Sequence, residues 1–125
     1  MKIDELTLKR IIWLLYEKYF DYQQIILKDV QLEIDEYIKI NLLLDYYHVE
    51  TKIKAIAKLS VDKDIIIDAK GMIQYGFIHF DFYKVLEEYL ENNRYISIKD
   101  KQIRIKNEYL KDIHIKDNCI ELELL

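Results

Sequence analysis

Apolar and polar residues alternate almost without interruption from Tyr47 to Phe77. Tyr47, Val49, Thr51, Ile53, Ala55, Ala57, Leu59 and Val61 share one parity. After Asp62-Lys63-Asp64, the residues Ile65, Ile67, Ala69, Gly71, Ile73, Tyr75 and Phe77 keep it. A period of two over this length predicts two long β-strands, each with one apolar and one polar face. They should pair as one antiparallel hairpin, with odd-numbered residues toward the core. Lys52, Lys54, Lys58, Asp68 and Lys70 should then face outward. At about 3.3 Å per residue each strand reaches roughly 45 Å, so strands this long in a small protein must curl around something.

A helix is predicted from an Asp4 cap to Tyr19 or Phe20. Leu6, Leu8, Ile11, Ile12, Trp13, Leu15, Tyr16, Tyr19 and Phe20 cover well over half of its circumference, with Lys9 the one charge inside that arc. An ordinary surface helix carries an apolar stripe a little over about 100° wide, so this helix should be enclosed by a curved sheet or held in a dimer interface. Ile12 and Leu15, in mid-arc, should be buried. Val30, Leu32 and Ile34 form a strand up to Asp35-Glu36, and Ile38 to Tyr46 form the next. Apolar parity then switches from even to odd at Tyr46-Tyr47, which requires a turn or a bulge there.

A second helix should start at Asp81 and end near Asn92-Asn93. Phe82, Val85, Leu86, Tyr89 and Leu90 make its apolar stripe, while Lys84, Glu87, Glu88 and Glu91 face water. Two short hairpins follow. The first runs from Tyr95, Ile96 and Ile98 through Lys99-Asp100-Lys101 to Ile103 and Ile105. The second runs from Ile113 and Ile115 through Lys116-Asp117-Asn118 to Ile120, Leu122 and Leu124. The predicted class is α+β: a wide-faced N-terminal helix packed on a long, curved antiparallel β-meander, then a second helix and short C-terminal hairpins. The connections are too short for parallel crossovers.

Composition narrows the picture. The 125 residues contain no Pro and two Gly, so no linker divides them and residues 1–125 read as a single domain. The richness in Ile, Lys, Tyr, Asp, Glu and Asn is what an AT-rich microbial, phage or parasite genome would produce. No signal-peptide pattern opens the chain, and its longest apolar run, Ile11–Tyr16, is far too short to span a bilayer. One cysteine excludes an internal disulfide, and a cytoplasmic location is expected. The net charge of -4 argues against a general nucleic-acid binder. Positive charge concentrates between Arg94 and Lys116, either as a solvated strand face or as a patch for a lipid headgroup, a phosphate or an acidic protein.

No catalytic motif is present, and no metal or cofactor is called for. His48 and His114 have no local partner at metal or acid–base spacing. His79 could bond Asp81 at the entrance to the second helix. Cys119 lies beside a turn with no basic neighbour to activate it. Gly71 and Gly76 lack a phosphate-loop Lys-Ser/Thr and sit inside a strand pattern, where they would allow a bend, a bulge or a close approach. Eleven tyrosines are many for this length. Tyr16, Tyr19, Tyr22, Tyr46, Tyr47 and Tyr75 would cluster if the first helix crosses the long strands, as a core edge or as an amphipathic mouth to an apolar groove.

The wide-faced helix, the long pair Tyr47–Phe77, the segment Ile65-Ile66-Ile67-Asp68-Ala69-Lys70-Gly71, the helix at Asp81 and the closing Ile-x-Ile hairpins together resemble the tubular lipid-binding proteins. In that family a long helix is wrapped by a strongly curved antiparallel sheet. The resemblance implies a hydrophobic cleft for acyl chains and no enzymatic activity. The expected groove is lined by Ile12, Leu15, Tyr16, Tyr19, Tyr47, Ile53, Ala55, Ala57, Ala69, Ile73 and Tyr75, with Ala55 leaving room for a ligand chain. Its occupant would be a hydrophobic small molecule, a partner protein's hydrophobic segment or, in a homodimer, a second copy. The groove could also be closed by the chain's own side chains. A different reading is a small protein-interaction factor of the immunity, inhibitor or anti-defence type, acting through exposed acids such as Glu87, Glu88 and Glu91 and through its tyrosines.

Overall fold

The computed structural model describes residues 1–21 and 24–125, with the side chain of Tyr89 left outside the described residues. In chain order the elements are β1 (Lys2–Ile3), α1 (Glu5–Leu15) with a π-helical continuation (Tyr16–Phe20), β2 (Ile25–Ile34), β3 (Ile38–Tyr46), β4 (Val49–Asp62), β5 (Asp64–Tyr75), β6 (Ile78–Asp81), α2 (Phe82–Leu90), β7 (Ile96–Lys99), β8 (Gln102–Ile105), β9 (Leu110–Lys116) and β10 (Cys119–Leu124). The class is α+β with antiparallel strands. Seven strands form one sheet in the order β2-β3-β4-β5-β8-β7, with β6 also paired to β5, and β1-β10-β9 form a second.

The central alternation becomes the β4–β5 hairpin, paired without slip from Thr51 opposite Tyr75 to Asp62 opposite Asp64. Thr51, Ala57 and Ala69 are buried on its odd face, while Lys52, Lys54, Lys58, Asp68 and Lys70 are exposed on the other; the exception is Ile66, which is buried on the even face between Ser60 and Arg104. The pattern ends two residues early. Phe77 lies in the Gly76-Phe77 turn and is fully exposed, because Gly76 at φ 59° reverses the chain into β6. Tyr47 likewise leaves its strand. With His48 it forms a two-residue turn in which both φ angles are positive, 51° and 65°, and this turn produces the parity switch. Asp100-Lys101 and Asp117-Asn118 reverse their hairpins in the same way.

Strand β2 begins earlier than the Val30–Ile34 pattern suggests. A bulge at Lys28 shifts the register between Leu27 and Asp29, so Leu27 and then Val30 and Ile34 all reach one buried face. The core lies where the two sheets meet. Ile34 and Ile38 pack with Ile113 and Ile120, flanked by Leu8, Leu59, Val61 and Leu122.

The N-terminal helix does not cross the long strands. It lies along β2, the edge of the large sheet. The Glu5 carboxylate accepts the Ile34 N–H at 2.9 Å, and the Tyr16 hydroxyl donates to the Ile25 carbonyl at 2.9 Å. Both ends of the edge strand are thereby capped by helix side chains. Asp4 caps the helix by accepting the Thr7 N–H at 2.7 Å. This placement corrects one expectation: Leu15 is 48% exposed, and Ile12 is only half-buried. Glu5, Leu8, Ile12 and Tyr16 form the line toward the sheet, and Leu15 is turned off it.

Helix α2 starts at an Asp81 cap, whose carboxylate accepts the Tyr83 N–H at 3.1 Å; this takes the place of the expected pairing with His79, which is exposed on β6. Phe82, Val85, Leu86 and Leu90 are half-buried. Tyr83, outside the apolar stripe, is the one buried residue of this helix among the described residues, and its hydroxyl both accepts the Ala69 N–H at 3.2 Å and donates to the Ala69 carbonyl. Burial pushes this phenol above its ordinary pKa. Phe82 stands over Gly71, where an added Cβ would lie 3.1 Å from its ring and 2.9 Å from the Lys54 carbonyl oxygen.

Two outcomes follow for chemical denaturation. Tyr83→Phe should lose about 1–3 kcal/mol, because a buried donor and a buried acceptor are orphaned together. Leu15→Ala should change stability by less than about 1 kcal/mol, the range of surface substitutions rather than of core truncations.

Candidate functional site

The residues expected to line a groove fall into three places. Ile53, Ala55 and Ala57 face Ile73, Gly71 and Ala69 across β4 and β5, and Tyr75 stands opposite Thr51. Ala57 and Ala69 are buried there, and Ile53, Ala55, Ile73 and Tyr75 are half-covered. Ile12 and Tyr16 lie on the sheet side of the N-terminal helix, while Leu15 and Tyr19 lie on its exposed side. Tyr47 projects from the turn, exposed. The sheet residues are therefore contiguous, and the helix residues sit apart from them over β2.

The small residues have a use of their own. Ala55 and Gly71 form a cross-strand pair, and the Phe82 ring fills the space above Gly71. The room expected for a ligand at Ala55 is thus partly taken by α2. The tyrosines divide as well. Tyr46 meets Tyr47 and Tyr75 edge-on, with ring centroids 4.6 and 5.9 Å away, whereas Tyr16 packs on Trp13 at 6.2 Å. Tyr22, expected in the same cluster, lies outside the described residues.

What remains uncovered is much of the C-terminal half of the N-terminal helix. Leu14, Leu15, Tyr19 and Phe20 are 63, 48, 54 and 50% exposed, and none of Glu5–Phe20 is buried. Elsewhere two shallow depressions occur. One, of about 310 Å³, lies between α2 and β7 and is lined by Glu87, Leu90, Glu91 and Ile98 among others. The second, of about 280 Å³, is lined by Glu50, Lys52, Gln74, Gly76 and Phe77. No helix is long and apolar enough to cross a membrane among the described residues.

One polar cluster was missed from sequence. His114 Nδ1 lies 3.0 Å from Asp112 Oδ2, and Nε2 lies 2.8 Å from Glu121 Oε2. Glu121 also pairs with Lys2 at 3.4 Å. Asp112, two residues away on the same strand face, is a local partner that the sequence reading did not grant His114; Glu121 stands opposite His114 across β9 and β10, a pairing that no local spacing reveals. Both histidine contacts are hydrogen bonds only while each ring nitrogen carries a proton. Burial raises the Glu121 carboxyl, but hydrogen bonds from His114 and Lys2 outweigh it and leave the pKa below its ordinary value. Cys119, half-buried, stands opposite Lys116 at the start of β10. No cluster of three or more metal-ligating side chains occurs among the described residues.

The positive charge expected between Arg94 and Lys116 is dispersed, since β7 and β8 belong to one sheet and β9 to the other. Lys111 is moreover paired with Glu123 at 3.6 Å. No protein-family model, curated protein or solved structure matches this chain.

Glu121 has a clear signature in acid. Its folded pKa is depressed, so its contribution to stability is complete above the unfolded carboxyl value and is lost as pH falls through the lowered folded value. Urea midpoints measured down the acid limb should fall through that window. Glu121→Gln should flatten this limb and leave the neutral-pH fold intact.

Proposed function

We propose that this chain is a non-enzymatic binding protein that takes a hydrophobic segment or an acyl chain on the uncovered C-terminal half of its N-terminal helix. The observation that carries this reading is the exposed run Leu14, Leu15, Tyr19 and Phe20 on a helix with no buried residue. Scattered single apolar residues on a surface are ordinary; four large ones on two successive turns mark a contact surface. Removing them from water contributes roughly 25 cal/mol per Å² before the losses of association. The half-covered strip of Ile53, Ile73 and Tyr75 offers further apolar area on the same sheet. Kinship with the tubular lipid-binding proteins belongs to this proposal, and it would make the occupant an acyl chain.

A second reading, a small protein-interaction factor, is supported by a different place. Glu87 and Glu91 line the depression between α2 and β7, and Glu88 is exposed beside them. That acidic lip suits a basic partner surface.

Native mass spectrometry of freshly purified protein, followed by organic extraction, separates these readings. A lipid adduct or a dimer in the wild type, lost in Leu15→Glu/Phe20→Glu with the fold retained, is the outcome expected from the first. An adduct-free monomer whose behaviour is unchanged by that double substitution overturns it and leaves the acidic lip of α2 as the working surface.

A further inference from the structure

The outer face of the large sheet, opposite the core, carries an unusual arrangement. Ile56 in β4 is 46% exposed. Its cross-strand neighbours are Lys39 in β3 and Lys70 in β5. Its neighbours along the strand on the same face are Lys54 and Lys58. One exposed isoleucine is thus ringed by four lysines. Met72, 51% exposed, continues the pattern opposite Lys54. Beyond it the fully exposed Phe77 shares the shallow depression beside Lys52.

Most of these lysines form no close ion pair. Lys58 places its ammonium 4.6 Å above the Tyr37 ring. Among the described residues, no carboxylate lies within 4.0 Å of the ammonium groups of Lys39, Lys52, Lys54 or Lys70. Acids on this face are fewer than lysines: Glu33 stands opposite Lys39, Asp68 opposite Lys58, Asp81 opposite Met72, and Glu50 lies near the turn. No lysine here stands directly opposite another, but five on one face of three neighbouring strands leave that face net positive in a chain of net charge -4. An anionic surface complements that charge.

We propose that this face docks on an anionic lipid bilayer. Lysines reach phosphate headgroups by extending their stems, while Ile56, Met72 and Phe77 enter the boundary with the acyl chains. A protein partner fits less well, because protein interfaces are depleted in lysine and bury apolar residues in packed clusters, whereas here each apolar side chain stands apart among charges. Nucleic acid has phosphates but no acyl layer for the exposed Ile56 and Met72 to enter. The inference does not rest on the binding role proposed above, since it concerns β3, β4 and β5 rather than the N-terminal helix.

Co-sedimentation of the purified protein with phosphatidylcholine vesicles, with or without phosphatidylglycerol, tests it. Wild type should bind only the vesicles containing phosphatidylglycerol, and added salt should release it. Lys54→Gln/Lys70→Gln should weaken binding about 30-fold, on the order of fivefold per lysine. Phe77→Ala should weaken it several-fold. Lys84→Gln/Lys116→Gln, with the same change in net charge elsewhere on the surface, should leave it unchanged. No binding to phosphatidylglycerol vesicles at low salt, equal binding to neutral vesicles, or equal loss in the two lysine pairs would overturn the proposal. The wild-type measurements decide the first two outcomes whatever the variants do, and failure here leaves the adducts and oligomeric state seen by native mass spectrometry unaffected.

Discussion

The hydroxyl of Tyr83 closes a gap that the sheet cannot close by itself. Strand β5 is paired along one side by β4, but its other side is shared between two short strands. β8 covers Ile65–Asp68, and β6 covers Met72–Tyr75. Between them the backbone of Ala69 has no strand to bond. An unpaired buried N–H and C=O would cost as much as two lost hydrogen bonds. One phenol, serving as donor and acceptor at once, satisfies both. The same contact fixes the first turn of α2, since Tyr83 follows the Asp81 cap by two residues and Phe82 sits over Gly71. The chain can therefore leave β5 through β6, turn into a helix and return as β7 and β8 to the same strand without breaking the ladder.

Much of this was legible in the sequence, and the limits are physical. Period two over Tyr47–Phe77 revealed the central hairpin and the residues on each face, because a long run admits a single register. The parity switch at Tyr46-Tyr47 foretold a turn there. Three other features were hidden because non-local pairing decides them. β1 is two residues long and exists only because β10 is beside it. β6 reads as a helix entrance until β5 is known to stand alongside. The bonds from His114 to Glu121 depend on how β9 and β10 align. Tyr83 is hidden differently: it lies one position off the apolar stripe of its helix, where a tyrosine ordinarily points to water, and only the gap at Ala69 explains its burial.

The two faces of the β4–β5 hairpin solve opposite problems with the same backbone. Inward, Ala55, Ala57, Ala69 and Gly71 keep the surface low, so that an aromatic residue of α2 can lie close. Outward, the intervening positions carry long side chains that would not fit beneath a helix. Small inward residues first suggested space for a ligand, but small residues leave room for whichever neighbour is nearest. Here the nearest is the chain's own Phe82. Volume along a strand thus predicts where something packs close, and topology decides what it is.

The same reasoning explains why the N-terminal helix stays partly bare. A sheet whose last strand is β2 presents unpaired backbone groups along that edge, a template for unwanted strand addition. Glu5 and Tyr16 occupy two of those groups, which requires the helix to lie beside the edge rather than across the sheet. A helix held beside an edge can turn only one line of side chains inward. Its apolar arc is wider than that line, so Leu14, Leu15, Tyr19 and Phe20 are left in solvent by the geometry that protects the sheet. A chain that needed only edge protection would carry polar residues at those positions, at little loss of stability. Their apolar character is therefore not required by edge protection, and the proposed binding role rests on this surplus.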